Sequence, residues 1–293
     1  MEDLVLDYHL TRIPGSLFSA AGLGTRLLPA AKELPNEMLP VFSPSANGKH
    51  CMKLLLQCIF EQLYDYGIRE FYFVIGRGKR AVEDHFTQDH GYLRTLRDRD
   101  RFALDLERFY QKLSDSTIVW INQPEPRGFG DAILRAQTSL AGEEFLVNAG
   151  DTLVISRNSS HPKHLTQTHT DLKAYATFIV HEIQDPKQYG VVDAKHEQDE
   201  VYRVKSAVEK PDFPPSNLAT IPLCIFHPII FDALAHLKPG RGGEVQLTDA
   251  IQKLVDWRKR VYAVKLKSDE TRLDVRTPET YWDALRLSFL YGV

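Results

Sequence analysis

The sequence predicts an α/β protein in which a mixed, mainly parallel sheet is flanked by helices. Short apolar runs rich in β-branched and aromatic residues alternate with segments of helical period, which is the pattern of βαβ units. A chain of 293 residues, 43% of them hydrophobic, also carries enough apolar surface to close one large core.

Taken in order, strands are expected at 17–20, 71–75, 118–122, 145–149 and 175–181, with helices at 52–66, 79–86 and 130–140 between them. The first helix places Leu55, Ile59, Leu63 and Tyr66 on one face. Residues 98–113 align Phe102, Leu106, Phe109 and Leu113 in a stripe with charges opposite, which predicts a surface helix whose charged face is solvated. Further strands are expected at 190–193, 202–208 and 221–226, followed by helices near 229–236 and 247–257. The Pro-rich stretch 211–217 reads as a loop, and 43–51 (SPSANGKHC) as a surface loop. The whole of 1–293 is expected to form one domain.

The net charge of −3 gives no basic footprint for a phosphate backbone, so no nucleic-acid partner is expected. Cys51, Cys58 and Cys224 form no even framework and no Cys-x-x-Cys pair, which points to a reducing compartment and away from structural zinc. The start lacks a basic region followed by an apolar one, and no apolar run approaches eighteen residues. A cytoplasmic protein without membrane contact is expected. His161, His164 and His169 lie on a polar helix without convergent spacing and are expected at the surface, while Tyr281 and Trp282 are expected to pack in the core.

The segment richest in chemistry is SAAGLGTRLLPAAKELPNEMLPVF, residues 19–42. Gly22 and Gly24 let the backbone approach an anion and turn its N–H groups inward, Thr25 adds a hydroxyl and Arg26 a forked donor, so Ala21, Gly22, Leu23, Gly24, Thr25 and Arg26 can cradle a triphosphate. The segment matches neither the P-loop nor the full G-x-G-x-x-G pattern, and a plain βα loop is the alternative.

Further blocks follow in order: QPEPRGFGDAI at 123–133, AGDTL at 149–153, QYGVVD at 188–193, VEKPDFPPSNLA at 208–219, GGEVQLTDAI at 242–251 and LDVRTPETYWDAL at 273–285. Together they resemble the sugar nucleotidyltransferases, most closely the bacterial and archaeal type of UTP:glucose-1-phosphate uridylyltransferase. The resemblance implies a Rossmann-like sheet of the nucleotide-diphospho-sugar transferase type, with a nucleotide-binding half at about 15–155 and, at about 156–293, a sugar-binding half ending in a helix. It implies in-line attack of glucose 1-phosphate on the α-phosphorus of UTP with loss of pyrophosphate. Positioning and charge neutralisation then supply most of the catalysis.

By the same resemblance Asp151 and Asp274 would hold Mg2+, a pair of hard oxygen ligands bridging phosphates. Gln123 and Gly128 would read the base, and Gly190 and Glu209 the sugar. Arg26 and Lys210 would neutralise phosphate charge. Because side chains alternate along a strand, Glu209 and Lys210 can serve one ligand only if the strand ends or bends there. Self-association is implied too, as a homo-oligomer or a hetero-oligomer with an active paralogue.

The chain departs from this pattern at three places. Asn36 stands where the family carries a lysine that touches the α-phosphate, and Lys32 is the candidate to replace it. Arg276 stands where a glycine is common, and would either crowd the metal or contact phosphate. The segment 43–51 is longer than usual. A weakened, nucleotide-holding regulatory subunit and a thymidylyltransferase are therefore kept as alternatives.

Overall fold

The computed structural model describes residues 13–96, 103–156 and 160–292. Its strands are β1 (Gly15–Ala20), β2 (Pro40–Pro44), β3 (His50–Leu54), β4 (Glu70–Gly76), β5 (Thr117–Gln123), β6 (Phe145–Ala149), β7 (Thr152–Ile155), β8 (Ala176–Glu182), β9 (Gly190–Gln198), β10 (Val201–Glu209), β11 (Leu218–Phe226), β12 (Val261–Lys265) and β13 (Thr271–Asp274). The helices are α1 (Leu55–Tyr66), α2 (Arg80–His85), α3 (His90–Leu96), α4 (Ala103–Ser114), α5 (Phe129–Arg135), α6 (Gln137–Leu140), α7 (Ser160–Asp171), α8 (Ile229–Ala235), α9 (Leu247–Asp256) and α10 (Pro278–Tyr291).

One nine-stranded sheet, ordered β5-β4-β1-β6-β11-β8-β12-β10-β9, runs through the described residues. The β5, β4, β1 and β6 strands are mutually parallel, β11 enters antiparallel between β6 and β8, and β12 runs parallel to β8. The sheet is therefore mixed, as expected, but not mainly parallel, since four of its eight neighbouring pairs are antiparallel. Side chains alternate across it and feed two cores. Phe18, Phe71 and Phe73 pack with Phe60 of α1 and Phe109 of α4 on one face, and Leu17, Val74, Phe145 and Phe226 pack with Phe231 of α8 and Ile251 of α9 on the other. Such two-sided burial explains why β6, FLVNA, is apolar nearly throughout.

Several elements differ from expectation. The helix expected at 52–66 begins at Leu55, and the loop expected at 43–51 is confined to 45–49, its ends belonging to strands. Met52 pairs with Phe42 in a β2–β3 hairpin whose turn is closed by Ser45 N–H donating to the Lys49 carbonyl at 2.7 Å. The Asp105 carboxylate of α4 accepts from Ser45 Oγ at 2.8 Å and from Ala46 N–H at 2.7 Å, so part of the charged helix face is a clamp. The expected segment 130–140 is two short helices, parted at Ala136. Phe102 lies outside the described residues; Phe109 and Leu113 are buried, as the stripe requires. Trp282 is 67% exposed and not in the core, whereas Tyr281 is half-buried and donates its hydroxyl to the Pro40 carbonyl.

Two histidines are also corrected. His161 and His169 are buried, because α7 turns its Thr and His face inward: Ser156 Oγ after β7 lies 2.6 Å from His161 Nδ1, and Thr177 Oγ1 of β8 lies 2.9 Å from His169 Nδ1, while His169 Nε2 has no hydrogen-bond partner among the described residues. Burial lowers His161 to about 3 and His169, His85 and His181 to about 4. Between pH 6.5 and 4 the unfolded chain therefore binds more protons than the fold. Stability is complete above the unfolded value of about 6.5 and is lost as pH falls towards the folded values. Urea melts at pH 7 and pH 4.5 are expected to show a clearly lower midpoint in acid; an equal or higher one would show that these rings are not held neutral.

Among the described residues no helix is long and apolar enough to cross a membrane.

Candidate nucleotide and sugar-phosphate site

Strand β1 runs straight into Ala21, where the chain must turn to clear the adjacent β4. Gly24 takes a left-handed φ of 62° at that turn, and Leu27 N–H closes it on the Gly24 carbonyl at 3.0 Å. Ala21, Gly22, Leu23, Gly24, Thr25 and Arg26 then form one wall of a 390 Å3 cavity with Gln123, Gly128, Asp151, Glu244 and Arg276. Residues expected to hold the nucleotide are thus brought together from β1, β5, β6 and the α5 entry.

Gln123 is buried, and its amide nitrogen donates to Asp131 Oδ2 at 2.7 Å and to the Gly128 carbonyl at 3.2 Å, which fixes the amide plane. Gly128 has φ 99°, and a Cβ there would lie 2.8 Å from the Val245 carbonyl oxygen. The 244–245 segment therefore closes the Gln123–Gly128 end of the cavity. Glu244 was not singled out from sequence; only its place in the GGEVQLTD block could have signalled it.

A second cavity of 250 Å3 is lined by Tyr189, Gly190, Glu209, Lys210, Thr248 and Arg272, among others. Lys210 takes φ 44°, so the chain bends at the end of β10 and brings Lys210 Nζ to 3.2 Å from Glu209 Oε1. This is the bend that lets both side chains face one ligand. Glu209 Oε2 also accepts from Thr248 Oγ1 at 2.7 Å, and a Cβ on Gly190 would lie 2.5 Å from that hydroxyl. Only glycine fits there.

The two cavities share Arg26, Phe129, Ala149, Asp151 and Arg276, so they are two lobes of one cleft. Lys32 belongs to neither. Its side chain is 77% exposed and pairs with Glu33 at 3.4 Å, so the expectation that it replaces a charge at residue 36 is corrected. The turn at Ala30–Lys32 carries it past the cleft rim.

Asn36 is buried beside Asp151. Its Nδ2 donates to the Val275 carbonyl at 3.1 Å and to Asp151 Oδ2 at 3.5 Å, while Oδ1 finds no partner among the described residues. Next to it Glu37 forms a 3.0 Å ion pair with Lys79, both buried. Burial pushes the Glu37 carboxyl up, and the Lys79 ammonium opposes that shift. Neither residue stood out in sequence, since an ion pair between residues 37 and 79 leaves no local pattern.

Asp151 is also raised, by burial first, with Arg276 pulling the other way. Asp274 is held differently. Arg276 Nε donates to its two oxygens at 2.6 and 2.9 Å, and Arg272 Nη2 donates to Oδ2 at 3.0 Å. Both guanidinium groups lie 5.3 Å from the Tyr189 ring centroid, and Arg272 Nη1 donates to His181 Nε2 at 3.1 Å. Burial lowers the affinity of Arg276 for its proton, but Asp274 outweighs it and holds the cation fully charged.

These contacts test the Mg2+ expectation. Among the described residues no group of three or more His, Cys, Asp or Glu could hold a metal ion. Asp151 lines both lobes and fits a divalent cation that draws its other ligands from phosphate and water. Asp274, both of whose oxygens accept from arginine, does not fit as a second ligand.

A glycine-rich turn at a strand end, a buried amide beside a tight glycine, and a bent strand end with a carboxylate and an ammonium all open on one half-buried carboxylate, Asp151. The nucleotidyl transferase family profile matches residues 18–288, and the chain belongs to that family. It is 33% identical over 280 residues to a UTP--glucose-1-phosphate uridylyltransferase of Pseudomonas aeruginosa, covering 93% of this chain and 95% of that one. A Bacillus subtilis protein of the same name is 35% identical over 260 residues, covering 87% and 84%. A crystal structure of UDP-glucose pyrophosphorylase complexed with UDP-glucose superposes with a TM-score of 0.82 at 31% identity, covering 95% of this chain and 99% of that one.

Proposed function

We propose that the chain transfers the uridylyl group of UTP to glucose 1-phosphate, giving UDP-glucose and pyrophosphate. The observation that carries this reading is the meeting of the two lobes at Arg26, Asp151 and Arg276, where the α-phosphorus and the sugar phosphate would face each other. The Ala21–Arg26 turn holds the triphosphate, Gln123 and Gly128 take the uracil, and Gly190 and Glu209 take the glucose. A phosphate oxygen of glucose 1-phosphate attacks the α-phosphorus, and the bond to the bridging oxygen of pyrophosphate breaks. Lys210 neutralises the attacking phosphate, and Arg26 the leaving one. A divalent cation such as Mg2+, held by Asp151 and the phosphates, would add charge neutralisation there.

Pyrophosphate release in Mg2+ with glucose 1-phosphate tests the reading, with UTP expected to exceed dTTP. Preference for dTTP would make the chain a thymidylyltransferase, and nucleotide binding without release would make it a binding subunit. Within this assignment Lys210→Ala is expected to raise the KM for glucose 1-phosphate by about 10- to 100-fold, the worth of one charge-assisted hydrogen bond, with UTP affinity nearly unchanged. Equal losses for both substrates would place the ammonium elsewhere.

A further inference from the structure

Five residues wall both lobes, and two of them, Arg26 and Arg276, are cations. Arg26 is exposed and sits on the glycine-rich turn. Arg276 is held rigidly: its guanidinium is forked onto Asp274, lies against the Tyr189 ring and keeps a side-chain exposure of 29% at the lobe junction. The opposite wall offers a phosphate little. Asn36 has committed its N–H donors to Val275 and Asp151, and its remaining group, Oδ1, is an acceptor that repels phosphate oxygens. The Asn36 bond to the Val275 carbonyl also fixes the residue just before Arg276. Both Arg272 and Arg276 pair with Asp274, whereas no ion pair to Asp151 is present among the described residues and Arg276 only partly offsets its burial.

We propose that Arg276 is a catalytic residue of this site: held on Asp274, its guanidinium meets the phosphates at the lobe junction and takes Asp274 out of the cation-binding pair, leaving Asp151 as its one carboxylate. The proposal rests on the nucleotidyl-transfer reading above. A guanidinium suits this place because it stays charged when partly buried and can bond a carboxylate with one edge and phosphate with another. Its charge also stands ready before substrates arrive, so none of the site has to reorganise as negative charge builds on the α-phosphate.

The test uses the full chain and the variants Arg276→Gly and Arg276→Lys, with three measurements. Arg276→Gly is expected to lower kcat on the order of 10²-fold. It should also weaken UDP-glucose binding, measured by calorimetry, about 10-fold or more. Mn2+ binding to the nucleotide-free protein, followed by electron paramagnetic resonance, should tighten about 10-fold or more as Asp274 Oδ1 is freed, Oδ2 staying with Arg272. Arg276→Lys, which keeps the charge but loses the fork, should recover part of kcat and UDP-glucose affinity, and it covers the case in which the glycine variant does not fold. Unchanged kcat and UDP-glucose affinity in either folded variant would overturn the proposal, as would Mn2+ binding that does not respond to Arg276→Gly. A wild-type chain without turnover would overturn the transfer reading instead, and the UDP-glucose and Mn2+ titrations would then decide the role of Arg276 on their own.

Discussion

Asp151→Asn is expected to lower turnover with UTP and glucose 1-phosphate by roughly 10²- to 10³-fold while leaving the fold intact. Asp151 follows β6, lines both lobes and is half-buried there, so its charge is less screened than one on the open surface. Asparagine has nearly the same shape. It can still accept from Thr152 Oγ1, which now lies 3.1 Å from Oδ1, but it cannot balance Arg276 or bind a hard cation. The loss should fall on kcat and on the dependence on divalent cation, and the thermal midpoint should barely move because no core contact is removed. Steady-state kinetics over a Mg2+ titration, with a melt on the same sample, read both. Turnover within about threefold of wild type would remove Asp151 from the reacting centre.

The second large effect concerns stability. Lys79→Met is expected to cost about 3–5 kcal/mol, because it leaves the Glu37 carboxylate buried without its counter-ion. For a chain of this size that is a drop in Tm of roughly 5–8 °C. Glu37 already binds its proton more tightly than an ordinary carboxyl, and losing Lys79 strengthens that tendency. A group whose folded pKa is raised stabilises the fold below its unfolded pKa, and that contribution is lost as pH rises through the folded value. The deficit relative to wild type should therefore shrink in mild acid. Glu37→Gln combined with Lys79→Met should recover much of the loss at pH 7. A double variant no better than Lys79→Met would mean that packing of the lysine stem, not the unpaired charge, sets the cost.

The parallel half of the sheet was legible because its central strands are buried on both faces and read as nearly unbroken apolar runs, as in FLVNA and FYFVI. The β2–β3 hairpin was not, since its strands are short and half-exposed, and a stretch such as HCMKL carries no clear period. The buried face of α7 escaped for a related reason: histidine and threonine look polar in sequence, and only the hydroxyls across from them make burial tolerable. In the cleft, the block motifs located the residues from Ala21 to Arg26, Gln123, Gly128, Gly190, Glu209 and Lys210, and the fold places them around one space. What the motifs could not convey was pairing. Arg276 was seen as an extra cation near an aspartate, but its grip on Asp274 depends on a rotamer, and the exposure of Lys32 depends on a turn.

The floor of the cleft has a mechanical consequence. Ala149 at the end of β6, Ile221 and Cys224 on β11 and Phe178 on β8 all line it, and these strands are neighbours in one sheet, with an irregularity in the β11–β8 pairing between Ile221 and Cys224. Parting the two lobes as rigid jaws would break that pairing, so the floor of the cleft is set by the sheet and is not rebuilt in each cycle. Movement is left to the rim, to the turn at residues 21–26 and to the proline-rich loop after Lys210 that carries the almost fully exposed Phe213. Entry and exit of ligands should accordingly follow the nanosecond-to-microsecond motions of loops and not the slower swing of domains.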